Sequence, residues 1–253
     1  MPRPRRLPPS ARRVFLLGVL TLAAYGGYRL FLSKLLPATA VFNMLPQDLA
    51  VALGSLACAL FLYWLARLRY SGQVLRRLPG AWGAASLVVL GLATAAVCLQ
   101  WHREVADFDL AGAPLRLAGL AVALSVAACE EIGFRGTLFV SLQDLSGKRG
   151  VFWALILGSL GFMLLHGSYQ TLWNLPFAAA AGVALGVARL RGASLWSLVF
   201  AHALMDGVDP LWSSSSLTLG YWPGLIAAGL ALGVALLLWF LPKAQEGRLV
   251  LGS

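Results

Sequence analysis

Glu130 and Glu131 stand side by side in the stretch AACEEIGFRGTLF, residues 127–139, an apolar run in a chain with only ten acidic residues. Arg135 follows Glu131 by four positions. On a helix that spacing lets Glu131 and Arg135 pair on one face, while Glu130 points about 100° away. A structural ion pair accounts for Glu131 and Arg135 but leaves Glu130 unexplained. A glutamate in a poorly solvated site suits general acid–base work. A second stretch, FMLLH, ends on His166, with Phe162 one turn earlier on the same face and able to pack against the imidazole. In a third, AHALMDGVD, His202, Asp206 and Asp209 fall at i, i+4 and i+7. Histidine and carboxylate at i, i+4 either chelate a metal or form an oriented hydrogen-bonded pair. Asp209 precedes Pro210 and reads as helix-end chemistry. Glu130, His166 and His202, from three separate segments, are enough with Asp206 to position a water, protonate a leaving amine and stabilise an oxyanion.

The segments that carry these residues are strongly apolar. The chain is 253 residues long, 59% hydrophobic and 12% charged, with a mean hydropathy of +0.78. Soluble domains are about 25% charged, so the composition points to an all-α, polytopic membrane protein. A bilayer core needs about 20 apolar residues per helical span. Eight spans are expected: Val14 to Ser33, Leu49 to Ala66, Ala81 to Gln100, Leu115 to Val140, Gly150 to His166, Leu172 to Ala188, Ser194 to Val208 and Trp222 to Leu241. Lys and Arg favour cytoplasmic loops, and with both termini inside, 15 of the 20 basic residues lie on the inner side. The formal charge of +10 is then mostly a topology signal that also meets anionic headgroups. Basic residues alternate with spans and do not line one folded face, which argues against nucleic-acid binding.

Ionisable groups at membrane depth cost on the order of 2.5–3.5 kcal/mol each at a helix centre, and here they concentrate beyond residue 115. The expected organisation follows from that contrast. Residues 1–80 form a basic tail and two accessory spans, and 81–114 a third accessory span with an outer loop. Residues 115–210 form the functional core, and 211–253 a last span and cytoplasmic tail. The first three spans read as a structural or lateral-access layer. The first apolar run, about 20 residues, exceeds the 7–15-residue core of a signal peptide and is read as retained; cleavage near Ala38-Thr39-Ala40 is the alternative. Cys58, Cys98 and Cys129 lie far apart in apolar spans and read as small buried hydrophobes. By residue count, Glu130 and His202 fall near mid-span, with His166 nearer the outer end.

Glu130-Glu131-Ile132-Gly133-Phe134-Arg135, then Phe162 to His166, then His202 to Asp206, resembles in order the EExxxR, FxxxH and HxxxN/D motifs of the CPBP family of intramembrane endopeptidases, the type II CAAX prenyl protease-like and Abi-type proteins. The resemblance covers about residues 115–210. It implies a glutamic-type protease of the cell membrane that uses no cofactor or metal. Glu130, assisted by His166, would activate a water; His202 and Asp206 would support the oxyanion; Glu131, Arg135 and Phe162 would hold the site together. Asp206 departs from the Asn of the best-described members, since an ionised carboxylate donates no hydrogen bond. It would then be protonated, orient His202, or help bind a metal. The implied partners are the bilayer and a membrane protein or peptide substrate, such as a C-terminal anchoring or sorting signal. The competing readings are a non-catalytic immunity or scaffold protein of the same fold, a proton-coupled carrier, and a metal-dependent protease built on Glu130, His166 and His202.

Overall fold

The computed structural model describes residues 9–35, 44–75, 90–91, 113–167, 175–206 and 221–240. Every regular element among them is helical. Helix α1 is Ala11–Leu35 and α2 is Met44–Leu75. Helix α3, Ala113–Glu131, continues through a π-helical stretch, Ile132–Leu138, into α4, Phe139–Ser146. A short 3₁₀ turn, Gly147–Arg149, leads to α5, Gly150–Gly167. Then come α6, Leu175–Leu190, α7, Leu195–Asp206, and α8, Tyr221–Phe240. Apart from Leu90–Gly91, the expected third span lies outside the described residues, as do the 101–112 loop, Cys98 and Asp209.

Local chemistry sets several boundaries. Ser10 caps α1, its Oγ accepting the Arg13 amide at 3.3 Å. Helix α6 ends in a tight reversal at Gly192, whose φ of 93° suits a residue without Cβ. There the Ala193 amide reaches back to the Ala188 carbonyl at 3.0 Å. Ser194 then caps α7, its Oγ accepting the Ser197 amide at 3.0 Å. The π stretch departs from the single regular span expected from Leu115 to Val140. Its wide turn is marked by the Phe139 amide bonding the Phe134 carbonyl five residues back, and Thr137 Oγ1 lies 3.0 Å from the Ile132 carbonyl oxygen. All seven of its residues are buried.

The helices pack around that stretch, with α1 and α5 antiparallel to it and α2 parallel, its Leu62 meeting Thr137 and its Tyr70 meeting Ser141. A Cβ on Gly18 would meet Leu138, and one on Gly133 would meet Leu22 and Leu62, so α1 runs against the α3–π path. Helix α5 also runs against it, with Gly161 opposite Phe134 and His166 opposite Glu130. Helix α6 reverses α5, with Gly182 against Ser159 and Gly186 against Leu155. Helices α1, α5 and α7 therefore run together, with α3 and α6 opposed. One core cluster joins Leu22, Cys58, Leu62, Cys129, Phe134 and Phe162 beneath the polar residues. Another joins α6, α7 and α8 through Ala184, Leu185, Leu198 and Ala231.

The outside of this bundle is apolar. Leu20, Leu60, Leu164 and Phe240 are 65–79% exposed, and Trp64, Phe152, Trp196 and Trp239 are also open. Contiguous apolar surface on this scale has a solvent in lipid, not water. Ala11–Leu32 and Leu49–Tyr70 are long and apolar enough to cross a membrane, whereas the apolar parts of α5 to α8 are shorter.

Candidate active site

The α3–π path places Glu130 and Glu131 in the last α-helical turn before the π stretch. Both are fully buried. Glu131 Oε1 accepts from Arg135 Nη1 at 2.7 Å and faces His202 Nδ1 at 3.0 Å. Arg135 Nη2 donates to the Gly182 carbonyl of α6 at 3.1 Å. The expected Glu131–Arg135 pair is therefore present, and it also ties α3 to α6 and α7. A buried ion pair depends on how far its remaining valences are satisfied: the Gly182 carbonyl and His202 take up part of them, while Glu131 Oε2 is buried without a hydrogen-bond partner among the described residues.

Both imidazoles are anchored through Nδ1 and turn Nε2 inward. His166 Nδ1 lies 2.9 Å from the Phe162 carbonyl, which only accepts, so that nitrogen carries the hydrogen. His202 Nδ1 faces the Glu131 carboxylate in the same sense. The two Nε2 atoms each lie 3.8 Å from Glu130 Oε2. His202 Nε2 also lies 3.4 Å from Asp206 Oδ2. Asp206 is the cluster's open member, with its side chain 37% exposed. It addresses the same nitrogen as Glu130, so Glu131 and Asp206 face opposite nitrogens of the His202 ring. Counting along the sequence put His166 shallower than Glu130. The antiparallel fit of α5 to α3 brings them to one level.

Phe162 is the floor of the cluster. Its ring centroid is 4.4 Å from that of His166 and 5.3 Å from that of His202. The Arg135 guanidinium carbon sits 4.5 Å from the same centroid, and Phe134 meets it edge-on at 5.5 Å. A single aromatic plate thus sets both imidazoles and the arginine.

Glu130, His166 and His202 each offer one ligand atom, and these lie within 4.8 Å of one another. Two imidazole nitrogens and a carboxylate are the donor set of many hydrolytic zinc sites, and the anchored Nδ1 atoms supply the outer hydrogen bonds such ligands need. The residues fit a divalent cation, and the expectation of a metal-free site stands beside that fit.

Residues 112–208 match the family model described as type II CAAX prenyl endopeptidase Rce1-like. Over this segment the chain is similar to the Rce1-like family. No curated protein matches the chain. That family is one of proteases, and the apolar exterior of the helices suits a membrane. The Rce1-like segment holds Glu130, Glu131, Arg135, Phe162, His166, His202 and Asp206, and the fold gathers all seven.

Three contributions were not visible in the sequence. The Gly182 carbonyl is a backbone acceptor and leaves no side-chain signal. The sharing of Glu131 between Arg135 and His202 is a contact across helices, which an i, i+4 reading of one helix does not address. The accessory helices, expected as a structural or lateral-access layer, carry a polar chain in which Arg29 Nη1 donates to Tyr25 Oη at 3.0 Å and the buried Tyr25 Oη lies 2.8 Å from Ser55 Oγ. Tyr25 and Ser55, polar residues in apolar spans, were its available signal.

Proposed function

We propose that this chain is an intramembrane endopeptidase of the glutamate type, hydrolysing peptide bonds of membrane-associated proteins or peptides. The observation that carries the reading is the convergence of Glu130 Oε2 with two inward-turned imidazole Nε2 atoms, each at 3.8 Å. In this buried site Glu130 Oε2 and His166 Nε2 are two acceptors, suited to a molecule that donates two hydrogens, which water does. Glu130 takes one proton from the water, and His166 holds the water's other hydrogen. The water oxygen then adds to the scissile carbonyl carbon. A proton on His202 Nε2 faces the developing oxyanion, with Glu131 on the far side of the ring keeping the imidazole in place. The proton taken up by Glu130 passes to the leaving amine as the C–N bond breaks. Asp206, at the open edge, tunes His202 and meets the incoming chain.

In this reading the Rce1-like segment is the catalytic core and the N-terminal helices form an accessory layer. The chain crosses the cell membrane about eight times with both termini inside. Substrates are proteins carrying C-terminal anchoring or sorting signals, or comparable membrane peptides. One observation favours a second version: the Glu130, His166 and His202 donor set also fits a divalent cation, which would supply Lewis acidity and an activated water.

Purified protein in nanodiscs, assayed on a degenerate peptide library read by mass spectrometry, tests both. The glutamate reading expects cleavage that survives chelation, no stoichiometric metal by elemental analysis, and loss of cleavage in Glu130→Gln. Cleavage abolished by a chelator and restored by zinc would establish the metal version. An intact fold with no cleavage of any peptide would favour a scaffold or immunity role.

A further inference from the structure

The sequence scatters its cysteines, and the fold brings two of them together. Cys58 of α2 and Cys129 of α3 are both free and buried, and they belong to one core cluster. The Cys58 side chain is the hydrogen-bonding neighbour of the Cys129 thiol. Their meeting follows from the register of the two helical paths, which run in the same direction. Tyr70 Oη donates to Ser141 Oγ, 71 residues further on. Leu62 meets Gly133 at the same separation, where an added Cβ would lie 3.1 Å from the Leu62 side chain. Cys58 faces Cys129 in that register, one turn before Leu62 and Gly133. Ala59 and Ala128, buried beside the pair, are small enough to let the backbones lie close.

Cys129 also precedes Glu130 directly, in the last α-helical turn before the π stretch. Two thiols in contact have a chemistry that single buried cysteines lack. Burial keeps charged thiol reagents out and makes any oxidation slow. Hydrogen peroxide is small and neutral, and it crosses lipid.

We propose that Cys58 and Cys129 are an oxidation site, at which hydrogen peroxide forms a disulfide that ties α2 to the turn carrying Glu130. One sulfur attacks a peroxide oxygen, the O–O bond breaks, and the thiol proton leaves with the released hydroxide as water. The sulfenic acid so formed is attacked by the second sulfur. Its S–O bond breaks, and the second thiol proton leaves with that hydroxide as water. The two sulfurs together give up two electrons, and one peroxide becomes two waters. An S–S bond is about 2.05 Å long, shorter than any contact between thiols, so closing it draws Cys129 toward α2 and turns Glu130 with it. In the peptidase reading, on which this last consequence rests, Glu130 leaves its place between the His166 and His202 imidazoles. Turnover then falls until a thiol reductant reopens the bond.

The test uses full-length Cys98→Ser protein, which lacks the third cysteine, in nanodiscs of saturated phosphatidylcholine. It is exposed overnight to hydrogen peroxide at a dose that fully oxidises free cysteine in a parallel sample. Denaturation, alkylation and mass spectrometry should find Cys58 joined to Cys129 in most molecules, and dithiothreitol should reverse the bond. Backbone amide exchange across residues 127–139 should differ between the oxidised and reduced protein. No difference is expected once Cys58→Ala is added. Turnover should fall about 10²-fold on oxidation, as for a misplaced catalytic group, and return with dithiothreitol, while Cys58→Ala protein keeps its turnover throughout. Thiols that stay free after the exposure, or a bond that leaves exchange across 127–139 unchanged, overturn the proposal, and so does turnover that survives complete bond formation. The bond and the exchange are read without any cleavage, so a failed peptidase reading is not mistaken for a failed oxidation site.

Discussion

Glu131 is the residue through which the site is joined. One of its oxygens serves both Arg135 and His202, so its loss would release an arginine and an imidazole together. Arg135→Ala leaves Glu131 as a buried charge without its cation and is expected to cost about 3–5 kcal/mol, read as lower folded yield and a lower melting temperature in detergent. Glu130→Gln should behave oppositely. It keeps the volume and the fold, and removes the base, for a loss of about 10²–10⁴-fold in turnover. The contrast between these neighbours separates support from chemistry. The candidate side chains were legible because ionisable groups in apolar sequence are few and each demands a reason. Phe162 was legible only as a partner of His166; that its ring also meets His202 and Arg135 depends on three helices converging. Phe162→Leu is expected to lower turnover more than stability, since it keeps most apolar volume while removing the plate that sets both imidazoles, and paired kinetic and thermal measurements on one preparation check this.

Elements position the site through two close approaches. On one side, α1 and α2 press on the π stretch at Gly133, where a Cβ would lie 2.8 Å from Leu22. On the other, α5 meets α6 at Gly182, where a Cβ would lie 3.0 Å from the Ser159 Cα. Leu22 has a flexible end that can yield, whereas the Ser159 contact is backbone. Gly182→Ala should therefore force α5 and α6 apart, costing about 1–3 kcal/mol by overpacking. It should also shift the carbonyl that holds Arg135, so activity should fall further than the loss of stability explains. Most helices were legible from apolar runs and turn residues, because lipid imposes a long uniform pattern. The π stretch was not, since a wide turn has the same apolar composition as the α-helix around it and is set by tertiary packing and the Thr137 hydroxyl. The true level of His166 was hidden for a related reason: depth counted from a helix start ignores how antiparallel neighbours are offset.

At the scale of the whole molecule, an apolar exterior surrounds a small buried polar centre that draws on α3, α5, α6 and α7, with α1 and α2 closing one side. All-α character and membrane residence were readable from composition, because so few charges cannot cover a water-facing surface. The N-in, C-in arrangement is an expectation at this scale. Reporter fusions at the two ends should both give cytoplasmic signal, and opposite signals would remove one span from the proposed eight.

The most direct measurement compares membrane proteomes of cells carrying the wild type or Glu130→Gln at matched abundance, quantifying peptides at new protein termini. If Glu130 is the base of an intramembrane peptidase, a defined set of proteins will remain unprocessed in the mutant alone, sharing a cleavage region at the membrane. Identical termini in the two proteomes, with both proteins inserted and folded, would contradict the account.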